Sequence, residues 1–552
     1  MQGLMMDVPL QVSSMIDHAG DCHGEVEVVS RELDDGIHRY TYADARRRCR
    51  RLAQALTARG VQFGDVVGAL AWNTHRYFEL FYGVSGMGAV LHTINPRLFH
   101  DQLVYIINHA EDRWLCIDRG TIELAEQLAP RLETIEGYIW MDDPVERPAD
   151  SALGEFIDYE DLIASADGAY DWPEFDEKTA STICYTSGTT GNSKGVVYSH
   201  RAATLITLMA NGQDFIGGHM NGAPECFMPI APLFHGNGWM MPYSAPMCGA
   251  KLVLPGRTYE PEMLYRLIED EQVTVVAGVP TIWLMLVDHL KRSNRRFSSL
   301  RAALMSGSKP PRSLIETLEN DFGVDATQAW GMTEALAAGR AGLKFGYDQL
   351  EGDERIDIKM RGGRVGFGTR FRIVDDEGHE QPWDGRSTGH LLVRGPIVAS
   401  GYLKESGEGV RGMTGVEDGW LHTGDVACIH PDSTIELADR SKDVIKSGGE
   451  WISSIEVENT AMGHSGVYEA AVIGVAHPKW QERPLLIVVR AEGSTVTADE
   501  LRDWLKDKIA SWWVPDAVEF MDELPHTGTG KIHKLKLRET FADYELADRE
   551  ES

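Results

Sequence analysis

Basic residues are scarce in this sequence relative to acidic ones. The 552 residues include 53 Lys and Arg against 84 Asp and Glu, which gives a formal net charge of −31 at pH 7. A surface this acidic disfavours binding to nucleic acid and to anionic membranes, so we expect no nucleic-acid partner. An anionic ligand must then be held locally by lysines, backbone N–H groups or a metal ion.

Long apolar runs are also lacking. No window reaches the ~18 apolar residues that a membrane-spanning helix needs, so we expect no integral membrane association. The first residues, Met1–Asp7, have neither the basic region nor the sustained apolar stretch of a secretory signal. Together these features predict a cytoplasmic protein.

The cysteine pattern lacks the C-x-x-C pairs that hold structural zinc. The seven thiols are scattered along the chain, at Cys22, Cys49, Cys116, Cys184, Cys226, Cys248 and Cys428. Isolated cysteines of this kind are mostly small buried hydrophobes. The pattern therefore fits reduced thiols in the cytosol.

The length of the chain predicts at least two domains. Helical and strand-like segments alternate over the first part: a helix over 41–60 with Thr41 and Asp44 at capping spacing, a strand over 66–71, and later a strand over 300–305 followed by a helix over 314–322. After about residue 440 the units are shorter, and one helix is predicted to run from Thr497 to about Ala510. We therefore predict an α/β protein: a large N-terminal domain with layered, mostly parallel sheets, and a small α+β C-terminal domain.

The strongest local signal is the segment from Tyr185 to Gly195. It contains three glycines, five Ser and Thr hydroxyls and Lys194, directly after a short apolar run. Glycines let backbone N–H groups approach an anion, hydroxyls donate to phosphate oxygens, and the lysine supplies positive charge. The segment therefore predicts a phosphate-binding loop, although a solvated Gly/Ser/Thr loop has the same composition.

Three motifs of other enzyme classes can be compared with this segment and with Ser306–Lys309. The P-loop requires glycine directly before the lysine, whereas Ser193 precedes Lys194. Gly191–Gly195 matches the G-x-S-x-G nucleophile elbow, but no apolar strand runs directly into it. Ser306–Lys309 matches S-x-x-K without the other segments of that hydrolase class. We interpret the last two matches as chance.

Six segments resemble, in order and spacing, the acyl-adenylate-forming superfamily, which includes acyl-CoA synthetases, firefly luciferase and peptide-synthetase adenylation domains. They are the glycine-rich loop, Ala231–His235, Gln328–Glu334, Gly424–Asp425, Asp439–Asp443 and Gly530–Lys531. Two further segments, Asp443–Ser454 and His477–Pro484, are most similar to the fatty acyl-CoA synthetase branch, which also holds methylmercaptopropionate-CoA ligases. The resemblance spans essentially the whole chain.

The resemblance implies the roles of individual residues. Thr186 and Glu334 match positions that hold Mg²⁺ with the ATP phosphates, and Asp425 matches the acceptor of the ribose hydroxyls. Trp330 stands where the family usually has a tyrosine against the adenine, and Ser306-Gly307 replaces the usual Gly-Gly. The full set implied to bind ATP or AMP is Ser187, Gly188, Thr189, Thr190, Gly191, Lys194, Gly307, Gln328, Ala329, Trp330, Thr333, Asp425, Arg440, Lys442, Lys446 and Trp451.

The resemblance also implies a mobile C-terminal domain. Lys531 matches the catalytic lysine that offsets charge in the adenylation transition state. Lys442 matches the hinge about which the small domain rotates after adenylation, which places the domains at 1–439 and 443–552 with the hinge at 440–442. Gly448 and Gly449 would then line the tunnel for the pantetheine arm of CoA.

The acyl pocket is expected to begin at His235, Gly236 and Trp239, with His235 also a candidate catalytic residue. Glycines on both sides of Asn237 suggest a widened pocket. The implied activity is an acyl-CoA synthetase that uses ATP, CoA and Mg²⁺ on a short- to medium-chain fatty acid or 3-methylmercaptopropionate, as a homodimer. Alternatives are a fatty acyl-AMP ligase that loads a carrier protein, a catalytically inactive scaffold, and a luciferase-like oxygenase.

Overall fold

The computed structural model describes most of the chain. The residues outside it are 2, 149, 187–191, 213–215, 220–223, 341–345, 405–415, 441–442, 448–449, 527–530, 545 and 547–552. Only the backbone is described at 218, 219, 337, 340, 348, 416, 417, 440, 450 and 451. None of the helices in the described part is long and apolar enough to cross a bilayer.

Two seven-stranded sheets dominate the region before residue 330. In spatial order, the first sheet consists of Asp325–Gln328, Ala302–Met305, Val275–Gly278, Cys226–Pro229, Lys251–Leu254, Glu27–Arg31 and Ile37–Thr41. The second consists of Phe156–Asp158, Gly137–Trp140, Asp112–Ile117, Val66–Leu70, Val90–Thr93, Ala180–Tyr185 and Gly195–Ser199. All neighbours are parallel except the last pair of each sheet.

The helices connect and cover these strands. The α-helices of at least five residues before residue 440 are Ser13–Cys22, Tyr42–Ala58, His75–Gly86, His100–Ala110, Ile122–Leu128, Tyr159–Ala164, His200–Ala210, Met241–Cys248, Pro261–Asp270, Pro280–Ser293, Arg312–Glu316 and Gly352–Lys359. Every residue of His75–Gly86 is buried, and this helix contacts strands of both sheets. The largest apolar core therefore lies between the two sheets.

Residues 330–440 form two antiparallel sheets, which were not predicted as distinct from the parallel ones. The first pairs Trp330–Met332, Ala335–Arg340 and Arg364–Val365. The second pairs Arg370–Val374, Gly389–Arg394, Trp420–Ile429, Val416–Glu417 and Ile435–Arg440. Tight turns connect several of these strands, so the helix-strand alternation that signals parallel sheets stops here.

The residues from 445 onward build a separate sheet. Its strands are Glu450–Ile452, Ile445–Ser447, Gln481–Arg490 and Val467–His477, with Ala517–Phe520 parallel to Gln481–Arg490. The helices Ser454–Met462, Ala498–Lys506 and Lys534–Thr540 accompany this sheet. The predicted α/β class with a smaller C-terminal α+β unit is confirmed, while the boundary at 440–442 stays a prediction.

The helices and strands predicted from the local sequence are present, but several begin or end at different residues. The predicted helix over 41–60 is Tyr42–Ala58, and Thr41 caps it through the reciprocal hydrogen bonds with Asp44. The strand predicted over 300–305 begins at Ala302. The helix predicted over 314–322 is α-helical only to Glu316 and continues as a π-helical turn to Asp321. The helix predicted to reach Ala510 ends at Lys506.

Candidate active site

A cavity of about 550 Å³ opens where strands of both large sheets end. Its walls are loops that follow the carboxyl ends of parallel strands, which is where α/β sheets bind ligands. Thr186 follows one strand of the second sheet, while Gly307 and Ala329 each follow a strand of the first. Ile455 and Lys531 complete the cavity from the C-terminal part of the chain.

The cavity gathers most of the residues selected from the sequence. Those that line it are Thr186, Lys194, His235, Gly236, Trp239, Gly307, Gln328, Ala329, Trp330, Thr333, Glu334, Asp425 and Lys531. They come from segments almost 350 positions apart in the chain. Their individual roles stay predictions, but their convergence on one cavity is a structural finding.

The structure does not assign the other predicted residues to the cavity. Ser187, Gly188, Thr189, Thr190, Gly191, Lys442, Gly448 and Gly449 lie outside the described residues. The side chains of Arg440 and Trp451 also lie outside them, although the backbone of Arg440 pairs with that of Asp425. Lys446 is exposed on the strand Ile445–Ser447, and its N–H donates to Glu482 at 2.9 Å. Lys446 is not among the residues that line the described cavity.

The two ends of the glycine-rich loop are joined by hydrogen bonds. The N–H of Thr186 donates to the carbonyl of Lys194 at 2.9 Å, and the N–H of Lys194 donates to Oγ1 of Thr186 at 3.2 Å. The ammonium of Lys194 lies 4.6 Å from the ring centroid of Tyr402, within cation–π range. These contacts fix a hydroxyl and an ammonium group at the mouth of the loop.

Glu334 is held by hydrogen bonds from the segment 399–403. Its Oε1 accepts a 2.6 Å hydrogen bond from the hydroxyl of Tyr402, and its carbonyl accepts from the N–H of Ala399 at 2.8 Å. The same segment reaches the loop, because the N–H of Leu403 donates to the carbonyl of Gly195 at 2.8 Å. The segment 399–403 therefore braces Glu334 against the base of the loop.

The donor set suits a hard cation. A hydroxyl at Thr186 and a carboxylate at Glu334 are oxygen ligands of the kind that Mg²⁺ prefers. Both line the cavity, and Glu334 is only 6% exposed, so little water solvates its carboxylate. These residues therefore fit the predicted Mg²⁺ site.

A short left-handed turn supplies part of the cavity lining next to His235. The φ angles from Gly236 to Met240 are all positive, between 43° and 61°. Consecutive left-handed residues are costly for L-amino acids. Asn237, which is 1% exposed, offsets this cost: its Nδ2 donates to Oγ1 of Thr182 at 2.6 Å, and its Oδ1 accepts from Thr93 at 3.2 Å.

This turn changes the interpretation of the two glycines that flank Asn237. A Cβ on Gly238 would lie 2.7 Å from the side chain of Leu233, and one on Gly236 would lie 3.1 Å from Leu336. Both glycines also have positive φ. Gly236 lines the cavity, but Gly238 is required by the turn and its packing rather than by pocket width.

Lys531 and His235 both line the cavity. The side chain of Lys531 passes close to Gly307, since its Cε lies 3.6 Å from the position of a Cβ at that glycine. Burial, and then the positive charge of Lys531, lowers the pKa of His235 from 6.5 to about 4. His235 is therefore neutral near pH 7 and can donate or accept a hydrogen bond.

The C-terminal part of the chain docks through buried polar contacts next to the cavity. Both the N–H and the hydroxyl of Ser454 donate to Oδ2 of Asp439, at 2.7 and 2.5 Å. Lys534 in turn donates to Oγ of Ser454 at 2.5 Å and forms an ion pair of 2.6 Å with Glu458. Asp439 and Ile455 both line the cavity, so this docking closes one side of it.

Several residues of the site were not found from the sequence. Tyr402 lies in Gly401-Tyr402-Leu403, which carries no local signal of a polar role. Asn237 was noticed only because of its neighbouring glycines. The apolar lining residues Ile216, Met240, Met241 and Leu336 come from three separate segments, so only the tertiary structure identifies them.

Comparison with known proteins agrees with this geometry. The family model described as AMP-binding enzyme matches residues 17–403, and the AMP-binding enzyme C-terminal domain matches 456–531. The chain is 44% identical over 545 residues to a 3-methylmercaptopropionyl-CoA ligase of Ruegeria lacuscaerulensis, which covers 98% of this chain and 99% of the relative. It is 41% identical over 544 residues to a medium-chain-fatty-acid–CoA ligase of Ectopseudomonas oleovorans, covering 98% of each.

Solved structures support the same fold. The anthranilate CoA ligase AuaEII, crystallised with anthranoyl-AMP, superposes with a TM-score of 0.83 at 24% identity, covering 97% of this chain and 98% of that one. An ATP-bound MatB from Rhodopseudomonas palustris gives 0.78 at 24% identity, covering 96% and 99%. By its family models, its relatives and its fold, this chain belongs to the AMP-binding enzyme family.

Proposed function

We propose that the protein is an ATP-dependent acyl-CoA synthetase that converts a carboxylic acid, ATP and CoA into acyl-CoA, AMP and pyrophosphate. The observation that supports this best is the convergence of Lys531, Thr186, Glu334 and Asp425 on one cavity with an apolar end. The identity of 41–44% to named CoA ligases over almost the whole chain supports the same reaction class.

The first half-reaction joins the acid to AMP. A carboxylate oxygen attacks the α-phosphorus of ATP, the bond to the β-phosphate oxygen breaks, and pyrophosphate leaves. The side chain of Lys531 lies in the part of the cavity near Gly307 and His235. There it would bind the carboxylate and α-phosphate and stabilise the charge that builds up on the α-phosphate oxygens.

Mg²⁺ would be bound by Thr186 and Glu334 together with the ATP phosphates. When bound, it neutralises charge on the pyrophosphate leaving group. Lys194 adds a second positive charge at the end of the glycine-rich loop. Neutral His235 can donate a hydrogen bond to the substrate carboxylate without adding a second positive charge next to Lys531.

The second half-reaction releases the product. The sulfur of CoA attacks the acyl carbonyl, the bond to the phosphate oxygen breaks, and AMP leaves. On the family pattern, the small domain rotates about Lys442 so that Gly448 and Gly449 replace Lys531 at the site. The contacts of Ser454 with Asp439 would have to break during that rotation.

The acid is proposed to be aliphatic. Part of the cavity lining is apolar and is formed by Ile216, Trp239, Met240, Met241 and Leu336. These side chains suit a short- to medium-chain fatty acid or 3-methylmercaptopropionate, the acid named for two relatives that are 43–44% identical. Thioether sulfur of methionine is soft and adapts to irregular ligands.

The decisive experiment measures the conversion of ATP to AMP and pyrophosphate across a panel of acids, with and without CoA. The panel runs from acetate to palmitate and includes 3-methylmercaptopropionate and cinnamate, with mass detection of the thioester. A CoA-dependent thioester with one class of acid supports the proposal. Acyl-AMP without thioester identifies a carrier-loading acyl-AMP ligase, and no turnover with any acid identifies an inactive scaffold.

Two further properties belong to this proposal. We expect a homodimer, by analogy with the most similar branch of the family, and light scattering of the purified protein tests it. We also expect a cytoplasmic location, which fractionation of the source cells tests. Neither property is needed for the proposed chemistry.

A further inference from the structure

The indole of Trp330 is hydrogen-bonded to the carboxylate of Asp425. Its Nε1–H donates to Oδ2 at 2.9 Å, and both residues line the cavity. The family resemblance implies separate roles for these residues, with Trp330 against the adenine and Asp425 on the ribose. The hydrogen bond means that a change at Trp330 also affects the carboxylate expected to bind the ribose.

Trp330 is poorly placed to act mainly by stacking. Only 5% of the residue is exposed, and its ring forms a T-shaped contact with Phe371, with centroids 5.6 Å apart. Base stacking requires an accessible ring face, and little of this one remains. Most of the indole therefore belongs to the apolar core beneath the cavity.

The backbone of Trp330 is held in place by its neighbours, and the burial of the ring restricts the indole. The backbone N–H donates to the carbonyl of Gly362 at 2.9 Å, and the residue pairs with Gly339 across the neighbouring strand. A Cβ on Gly339 would lie 2.9 Å from Cβ of Trp330, so the strands approach more closely than a side chain there would allow. The indole N–H is thus a fixed donor.

A fixed donor on one oxygen sets the plane of the carboxylate. Asp425 is anchored by its backbone as well, since its N–H donates to Oγ1 of Thr423 at 3.1 Å. A carboxylate held in one plane presents its remaining acceptor directions to a ligand without first losing rotamer freedom. Bidentate binding of two vicinal hydroxyls depends on that orientation.

We propose that Trp330 is a positioning residue for ribose recognition, which orients Asp425 through the indole N–H so that the site selects a nucleotide with both ribose hydroxyls. This inference rests on the proposed use of ATP. It assigns to Trp330 a hydrogen-bonding task that phenylalanine, of similar shape and aromaticity, cannot perform.

The test compares the effect of Trp330→Phe on two nucleotides. Adenylation with ATP and with 2′,3′-dideoxy-ATP is measured by pyrophosphate release, and binding of AMP and 2′,3′-dideoxy-AMP by calorimetry. We expect Trp330→Phe to weaken AMP binding about tenfold, the size expected for losing a hydrogen bond to a charged group. Binding of the dideoxy nucleotide should be unchanged, so that the preference for ribose falls about tenfold.

Phe371→Leu is the matched control, because it loosens the packing of the indole but keeps its N–H. It should lower the thermal midpoint while retaining the preference for ribose. Equal weakening of both nucleotides by Trp330→Phe would overturn the proposal and favour stacking or general packing. If wild-type protein binds AMP but forms no acyl-AMP, the proposed function fails while the binding comparison still decides the role of Trp330.

Discussion

The hydroxyl of Tyr402 donates a 2.6 Å hydrogen bond to Oε1 of Glu334, and the ring of the same tyrosine lies under the ammonium of Lys194. One side chain thus contacts both the predicted metal ligand and the predicted phosphate-binding lysine. The phenol contributes a neutral hydrogen bond to the carboxylate and an aromatic face to the cation. Its two contacts can be removed separately.

Tyr402→Phe should raise the Mg²⁺ concentration needed for half-maximal adenylation several-fold. The variant keeps the ring beneath Lys194 but leaves the carboxylate of Glu334 without the phenolic donor, so its orientation is less restricted. Titration of adenylation with Mg²⁺, together with calorimetric binding of Mn²⁺ and ATP, measures the effect. Tyr347→Phe is the control, since it removes a similar phenol–carboxylate hydrogen bond to Asp432 outside the cavity. Equal Mg²⁺ requirements for both variants would contradict this role.

Lys531→Ala should reduce acyl-AMP formation by at least 10²-fold while sparing thioester formation from supplied acyl-AMP. The lysine extends into the cavity and would act on charge that develops only during adenylation. The two half-reactions are measured separately, by pyrophosphate release and by thioester mass. Lys536→Ala, which removes an exposed lysine from the helix Lys534–Thr540, should affect neither. A parallel loss of both half-reactions would count against the assignment.

The pKa of His235 predicts a specific pH dependence of stability. This histidine titrates near 6.5 when unfolded and at about 4 in the folded protein. Between these values the unfolded chain binds a proton that the folded protein does not. The contribution of neutral His235 to the free energy of unfolding is therefore complete above pH 6.5 and is lost as the pH falls toward 4.

Accordingly, His235→Gln should lose less stability than the wild type when the pH is lowered from 6.5 to 4. Thermal midpoints at each pH measure this difference. Lys531→Met should also raise the pKa of His235, because one of the two causes of its depression is removed. Histidine-labelled protein followed by NMR gives that pKa directly, and an unchanged value in the methionine variant would exclude the electrostatic contact.

Asn237→Ala should destabilise the N-terminal region by about 2–3 kcal/mol, since it removes hydrogen bonds to Thr182 and Thr93 inside the core. Asn237→Gly removes the same bonds but tolerates the positive φ. It should therefore be less damaging than alanine by about 1 kcal/mol. The shifts of the thermal midpoint give both values, and an alanine variant as stable as wild type would refute the stabilising role of Asn237.

Ser454→Ala should slow adenylation about three- to tenfold without slowing thioester formation from supplied acyl-AMP. It removes the hydroxyl that Asp439 and Lys534 share, and thus part of the contact that closes the cavity around Lys531. Rapid-quench measurement of each half-reaction separates the effects. Thr460→Ala provides the control on the same helix, because that hydroxyl bonds only to Glu456 within the helix among the contacts described. Equal slowing of both steps would argue against a docking role.

The parts of the fold that the sequence predicted are those encoded locally. The capping box of Thr41 and Asp44 and the apolar strand over 66–71 each depend on neighbouring residues, and both formed as expected. The end of the helix predicted over 314–322 was less predictable. Phe322 satisfies the helical spacing, but the chain widens into a π-helical turn before reaching it.

The same difference between local and long-range information applies to the candidate site. Thr186, Asp425 and Lys531 stand in short motifs with recognisable spacing, and the structure gathers all three. Tyr402 could not be predicted, because its partner Glu334 is 68 positions away and the tyrosine follows an unremarkable strand-to-turn segment. For Trp330 the sequence was compatible both with stacking on adenine and with core packing, but it did not show that Phe371 contacts the ring from another sheet.

The left-handed turn at 236–240 also limits how the enzyme could be re-engineered. A library that randomises Trp239 or Met240 to reshape the acyl pocket samples positions with φ of 52° and 61°. β-Branched residues such as Val, Ile and Thr are strained there, whereas Gly and Asn are tolerated. The backbone, rather than the space in the pocket, therefore sets which substrate-altering substitutions yield folded protein.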